Sequence, residues 1–279
     1  MASELVLHNS LQTQIEAFIK HPTHAVLLYG KKSAGKKAIA LYIADALMSS
    51  RSHSKIMTIA PLEDKKTIGI DQIKQLKQIL RTKDESYRIL FIPEAEKLTT
   101  EAQNSFLKLL EEPSDNVVFI LTANNEYRLL ETIRSRLLKL RYVAPTKHQQ
   151  EEFVISKQGV ADEKLLVIAD GRMGLLSALL NKEVTHEMLQ KIELSKDILS
   201  ESVDDRLVRV DSLSKDSEST ATLLDALLLT SNAALKSAIQ NDKQYKRWLE
   251  RLTAIEAAID QLQMNITAKL VLTRLFLVV

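Results

Sequence analysis

All five prolines, Pro22, Pro61, Pro93, Pro113 and Pro145, lie in the first 145 residues of this chain, and no glycine follows Gly174. The stretch after Gly174 therefore lacks both strong breakers of regular structure. Its Leu, Ala and Ile recur at helical spacing, which predicts a helical region with a loop over 212–219, a Ser-rich charged stretch. The first part obeys another rule. Helical patterns over 12–20, 38–48, 69–81, 100–111 and 126–134 alternate with short apolar runs at 25–29, 56–59, 89–92, 117–121 and 137–140. Such alternation predicts an α/β fold, a parallel five-stranded sheet with helices on both faces, and places ligands at the carboxyl ends of the strands.

One such end carries a recognisable loop. Gly30, Gly35 and Lys36 fit the phosphate-loop pattern G-x-x-x-x-G-K-S/T, in which backbone N–H groups and the lysine face phosphates and the last hydroxyl holds Mg²⁺. The apolar run before it and the helical pattern after it give the strand–loop–helix order that aims a helix N-terminus at an anion. The other reading is a lysine-rich surface turn, which the flanks disfavour. Lys37 stands where the hydroxyl belongs. The partner motif is an apolar strand ending in a metal-supporting acid; here Arg88-Ile89-Leu90-Phe91-Ile92 is succeeded by Pro93, which has no acidic group. Both magnesium contacts are therefore missing. Glu94 is either a group that polarises a water or a solvated carboxylate in the next turn.

The remaining composition is ordinary for a globular protein, with 45% hydrophobic and 27% charged residues and a net charge of +2. With no cysteine, disulfides and thiolate metal sites are excluded, and the six histidines form no ligand spacing. No run approaches the ~20 apolar residues that span a bilayer, and no signal peptide is evident, so a cytoplasmic location without membrane contact is expected. The small net charge confines any nucleic-acid contact to a local patch. Lys31, Lys32, Lys36 and Lys37 form the densest one, either a phosphate or DNA contact or a solvated face. Trp248 reads as a core or interface anchor rather than a base-stacking platform.

Several motifs in order carry a family resemblance. The segment His24 to Gly30, the Thr67-Ile68-Gly69-Ile70-Asp71-Gln72-Ile73 element, Glu94 to Thr99 with the helix Ala102 to Pro113, the strand Val118 to Asn124 and the Ile133-Arg134-Ser135-Arg136 element resemble those of clamp-loader AAA+ subunits. Among these, the chain is most similar to the bacterial DNA polymerase III delta prime type. The gamma/tau ATPase type would keep the hydroxyl and the acid and would carry a four-cysteine zinc module, whereas only the short 49–55 connection stands here, so no zinc is expected.

The resemblance implies an AAA+ P-loop domain over 1–144, a helical lid over 145–184 and an all-α collar for oligomerisation over 185–279. It implies a non-hydrolysing stator in a hetero-oligomer with gamma/tau and delta subunits, acting through them on the sliding clamp and primed DNA. Arg136 would serve a neighbour's ATP site in trans; read without the family, it is an exposed arginine beside a strand. Gly30, Gly35 and Lys36 would form a degenerate loop that holds ATP or ADP at most weakly, with Glu94, Asn124 and Arg172 around it and no metal. Asn124 is a water-orienting residue or a strand-end cap, and Arg172 a phosphate contact or part of the glycine-flanked turn Gly171-Arg172-Met173-Gly174. The alternatives are an active AAA+ ATPase, motivated by Lys36 and Glu94, and an AAA+ adaptor outside replication.

Overall fold

A computed structural model describes residues 5–49, 53–81, 86–114 and 116–279; within the 49–55 connection, residues 50–52 lie outside the described residues. The chain divides into two compact units, one holding the residues up to Gln149 together with Arg172–Gly174, the other Gln150–Gly171 and Leu175–Val279.

The first unit is the α/β layer structure that the alternation predicts. Its strands are β1 (Ala25–Tyr29), β2 (Ser54–Thr58), β3 (Tyr87–Ile92), β4 (Val117–Ala123) and β5 (Leu138–Arg141). They are all parallel, in the order β2-β3-β4-β1-β5. Helices α1 (Asn9–Lys20) and α2 (Lys36–Ser49) and helices α3 (Ile70–Arg81) and α4 (Thr100–Glu111) belong to different cores. Side chains of a strand alternate between faces, and here the alternation is complete. Leu27, Leu90, Ile92, Phe119 and Leu121 enter the core shared with Ile73, Leu76 and Phe106, while Val26, Leu28, Ile89, Phe91, Val118 and Ile120 enter the core shared with Leu11, Ile15, Ile39 and Ile43. Phe106 meets Phe119 edge-on at 5.1 Å, and truncating a ring buried so completely costs about 3–5 kcal/mol.

One expected helix is broken. In place of a single helix over 126–134 there is a 3₁₀ turn at Glu126–Arg128 and a short α5 (Glu131–Arg134). Asn125 caps the turn by accepting from Tyr127 N–H at 2.9 Å. Gln103 of α4 then fixes the gap, donating to Arg128 O at 3.2 Å and accepting from Leu130 N–H at 2.8 Å. Backbone groups that a helix would pair internally are paired by a side chain from another element.

The second unit is helical among its described residues. Helix α6 (Lys147–Gln158) leads into it, and α7 (Glu163–Ala169), α8 (Met173–Leu180), α9 (Glu187–Ser200), α10 (Val203–Leu213), α11 (Ser217–Ser237), α12 (Asp242–Gln263) and α13 (Ala268–Phe276) come after. With no Gly or Pro after Gly174, side-chain caps mark the starts of α10, α11 and α12. Ser202, Asp216 and Asn241 accept from the N–H groups of Asp205, Ser219 and Gln244. The expected 212–219 loop shrinks to 214–216, because Asp216 already caps α11. The core joins Ile198 and Leu199 of α9, Leu223, Leu224 and Leu227 of α11, Ile255 of α12, and Val271, Leu272 and Phe276 of α13.

Candidate functional site

The carboxyl ends of β1, β4 and β3, neighbours in the sheet, bring together residues far apart in sequence. After β1, Gly30 turns with φ +149°, and a Cβ there would lie 2.8 Å from Tyr142 Cβ, a contact that only glycine permits. Its N–H donates to Ala123 O at 3.1 Å, anchoring the loop to β4. Helix α2 starts at Lys36 itself, two residues before the hydrophobic periodicity begins, and Lys36 is only 8% exposed. Gly35 closes the loop with φ +92°.

Lys36 points inward rather than out to solvent. Its Nζ donates to Gly30 O and Lys31 O, both at 2.7 Å, and to Asn124 Oδ1 at 2.9 Å. An ammonium has three N–H donors, and all three are engaged by the protein. Burial lowers its pKa from 10.5 to about 8; the carboxylates of Glu96 and Glu94 oppose that shift, and the charges of Arg172 and Lys32 add to it. Asn124, just past β4, thus links the two loops, and its own N–H donates to Glu96 Oε1 at 2.7 Å.

Glu96 was not singled out by the sequence. It sits in the 3₁₀ turn after Pro93, where its second oxygen is buried with no hydrogen-bond partner, and burial raises its pKa against the pull of the Asn124 N–H. The acid two residues past Glu94 was the available signal. Glu94 adopts a left-handed conformation, φ 50°, its N–H donating to Thr122 Oγ1 at 3.1 Å and its carboxylate paired with Lys97 at 2.8 Å. Lys37 is exposed on the first turn of α2.

The Arg172–Gly174 segment closes over the loop within the same unit. Arg172 is 2% exposed, and its Nη1 approaches Lys32 O at 3.4 Å. Gly174 packs so closely that a Cβ would stand 2.6 Å from Ser33 O and 2.8 Å from Gly35 N. Tyr142 accepts from Met173 N–H at 3.3 Å, and burial pushes its phenol up to about 12. Sequence reasoning missed Tyr142, since an aromatic after a strand looks like any core residue.

Arg136 is placed elsewhere. It lies just past α5, is half-exposed, donates to Thr132 O at 2.8 Å and pairs with Glu111 Oε1 of α4 at 2.9 Å. Among the described residues its partners are Thr132, Ser135 and Glu111, none of them in the P-loop.

The arrangement does not fit a magnesium nucleotide. The lysine that would face the outer phosphates is internally bonded, and neither the residue after it nor Pro93 offers an oxygen ligand to Mg²⁺.

Residues 6–145 match the family described as DNA polymerase III, delta subunit. The Haemophilus influenzae DNA polymerase III subunit delta' is 30% identical over 130 residues, covering 46% of this chain and 39% of that protein. The Pseudomonas aeruginosa subunit delta' is 27% identical over 228 residues, 73% of this chain and 69% of its own length. The chain belongs to the DNA polymerase III delta prime clamp-loader family. Its match spans well under half of the Haemophilus relative's length. Among solved structures, a gamma subunit-related protein of DNA polymerase III from Thermotoga maritima shares the fold at a TM-score of 0.55 and 19% identity, covering 96% of this chain and 98% of its own. The fold is that of AAA+ proteins, and the family's setting is DNA replication.

Proposed function

We propose that this member of the delta prime family is a non-hydrolysing subunit of the DNA polymerase III clamp loader, a stator that gives Arg136 to an ATP site on a neighbouring subunit. One observation carries the reading: every donor of Lys36 is bonded inside the protein, beside a loop whose two magnesium positions are Lys37 and Pro93. A loop so arranged holds itself rather than a nucleotide, so no cofactor is bound tightly, ATP or ADP binds at most weakly, and with no cysteine in the chain a thiolate zinc module is excluded.

Arg136 supports the other half of the reading. Its guanidinium is 37% exposed and is held by one carboxylate at the surface, an attachment worth under ~1 kcal/mol in water. It can exchange Glu111 for a phosphate on another chain. An arginine placed so stabilises the charge on a transferring phosphoryl group, and its planar fork matches phosphate oxygens. The neighbours are the gamma/tau and delta subunits, and ATP turnover by gamma/tau drives loading of the sliding clamp onto primed DNA in the cytoplasm. The helices of 145–184 serve as lid and those of 185–279 as the collar that packs with the other subunits.

The test is reconstitution with gamma/tau and delta subunits. Arg136→Ala is expected to assemble normally and to lower DNA-stimulated ATP hydrolysis. An unchanged rate at saturating ATP and DNA removes the finger role.

A further inference from the structure

Helix α12 runs on past the core that it packs into. From Ile239 to Arg247 every residue is exposed, so the first six residues of the helix, 242–247, show all their sides to solvent. A helix lying on a core buries one stripe in each turn of about 3.6 residues. More than one turn of α12 therefore stands clear of the core. The apolar pattern does not stop there. Tyr245, Trp248, Leu249 and Leu252 succeed one another at i, i+3, i+4 and i+7, the spacing of a single helix face. At the inner end Leu252 and Ile255 are buried, and Trp248 is half-buried against the core. At the outer end Tyr245 is 38% and Leu249 48% exposed, and Ile239, on the turn before the helix, is 66% exposed. The stripe that buries itself inside the unit is thus a turn longer than the core that covers it.

Charge narrows the choice of occupant. Over residues 236–250 the cations Lys236, Lys243, Lys246 and Arg247 stand against the carboxylates Asp242 and Glu250, all of them exposed. Lys246 lies three residues before Leu249 and so borders the exposed stripe. A second copy of the chain would bring like charge against like, whereas an acidic surface is drawn to this one. A nucleic-acid strand would find phosphate partners in the lysines, yet it stacks on aromatic rings, and the aliphatic Ile239 and Leu249 give its bases nothing to stack on. An amphipathic helix answers both features: its apolar face continues the stripe and its carboxylates meet the cations.

We propose that the outer end of α12, with Ile239, Tyr245 and Leu249 as its apolar surface and Lys246 at the border, docks an acidic amphipathic helix of a neighbouring subunit; this rests on the reading of the chain as part of a hetero-oligomer. Tyr245 and Leu249 are the anchors, because aromatic and aliphatic side chains that lose their water on docking carry most of the binding energy. The lysines steer the approach and select against basic partners.

The full chain is mixed with gamma/tau and delta subunits, and assembly is followed by sedimentation velocity in low salt and in about 0.5 M NaCl, where charges are screened within a few ångströms. Leu249→Glu is expected to weaken assembly roughly a hundredfold in both, and Lys246→Glu about tenfold in low salt with little effect in high salt. Both side chains are exposed, so neither substitution disturbs the helical core, and an unchanged circular dichroism spectrum checks this. Wild-type affinity in Leu249→Glu overturns the docked helix and leaves the stator reading standing. Failure of the wild type itself to assemble removes both. Undiminished assembly of Lys246→Glu in low salt shows that the partner is not acidic and likewise overturns the proposal. Two outcomes with the chain alone do the same: a dimer broken by Leu249→Glu assigns the surface to a second copy, and binding of an oligothymidylate lost in Tyr245→Ala, with assembly intact, assigns it to a nucleic-acid strand.

Discussion

The loop around Lys36 and the corner that ends at Arg136 lie in one unit and treat a cation in opposite ways. Lys36 is buried and bonded to two backbone carbonyls and Asn124, whereas Arg136 is half-exposed and held by one surface carboxylate. A charged group that a fold has fully coordinated has become structure. One left at the surface with a weak partner remains free to act on another molecule. Under the proposed function, the first is a phosphate loop kept for its shape and the second an arginine kept for its reach.

The most severe challenge to that contrast is a change that keeps charge and removes shape. Arg136→Lys in the reconstituted complex is expected to lower single-turnover hydrolysis at the site it serves by roughly 10³-fold, because a lysine lacks the planar fork. Retention of the rate would show that position 136 supplies only a point charge or nothing.

The Lys36 side of the contrast has a pH signature. With the folded pKa at about 8 against 10.5 unfolded, the unfolded chain holds more protons between those values, so stability rises with pH across that window and is lowest below it. The expected gain is up to about 3 kcal/mol. It is read from urea unfolding as the difference between the wild type and Lys36→Met, which lacks the titration; parallel pH profiles for the two would mean that Lys36 is solvated.

Closure of the loop is tested by Gly174→Ala, whose added carbon meets Ser33 O at 2.6 Å. It should destabilise the first unit by about 2 kcal/mol and speed hydrogen exchange of the 30–35 amides; unaltered exchange would place Gly174 away from the loop. The smallest effect is expected of Glu111→Gln, which loosens Arg136 at a cost under ~1 kcal/mol while leaving hydrolysis by the complex at least as fast as before. A marked fall in rate would make Glu111 part of the site rather than a resting partner.

Much of the first unit was legible because strand patterns are local. Successive residues such as Val26 and Leu27 enter opposite cores, and each run announces itself as apolar. The break within 126–134 was not, since it depends on Gln103, an ordinary polar residue of α4 more than twenty positions earlier. The loop glycines, Lys36 and the replacements at Lys37 and Pro93 were visible in the chain, but the inward turn of Lys36 was not. It is set by Asn124 across 88 positions and by Arg172–Gly174 closing from further still. After Gly174 the absence of breakers predicted the class of structure, while the pairing of particular helices stayed hidden, because Ile198, Leu224, Ile255 and Phe276 meet only when four helices pack together.

The most direct measurement is Mg²⁺-dependent ATP hydrolysis by the purified chain alone, beside Lys36→Ala. A lysine whose donors are all taken inside the protein predicts no turnover above the buffer rate for either protein. Turnover by the wild type that Lys36→Ala abolishes would contradict it.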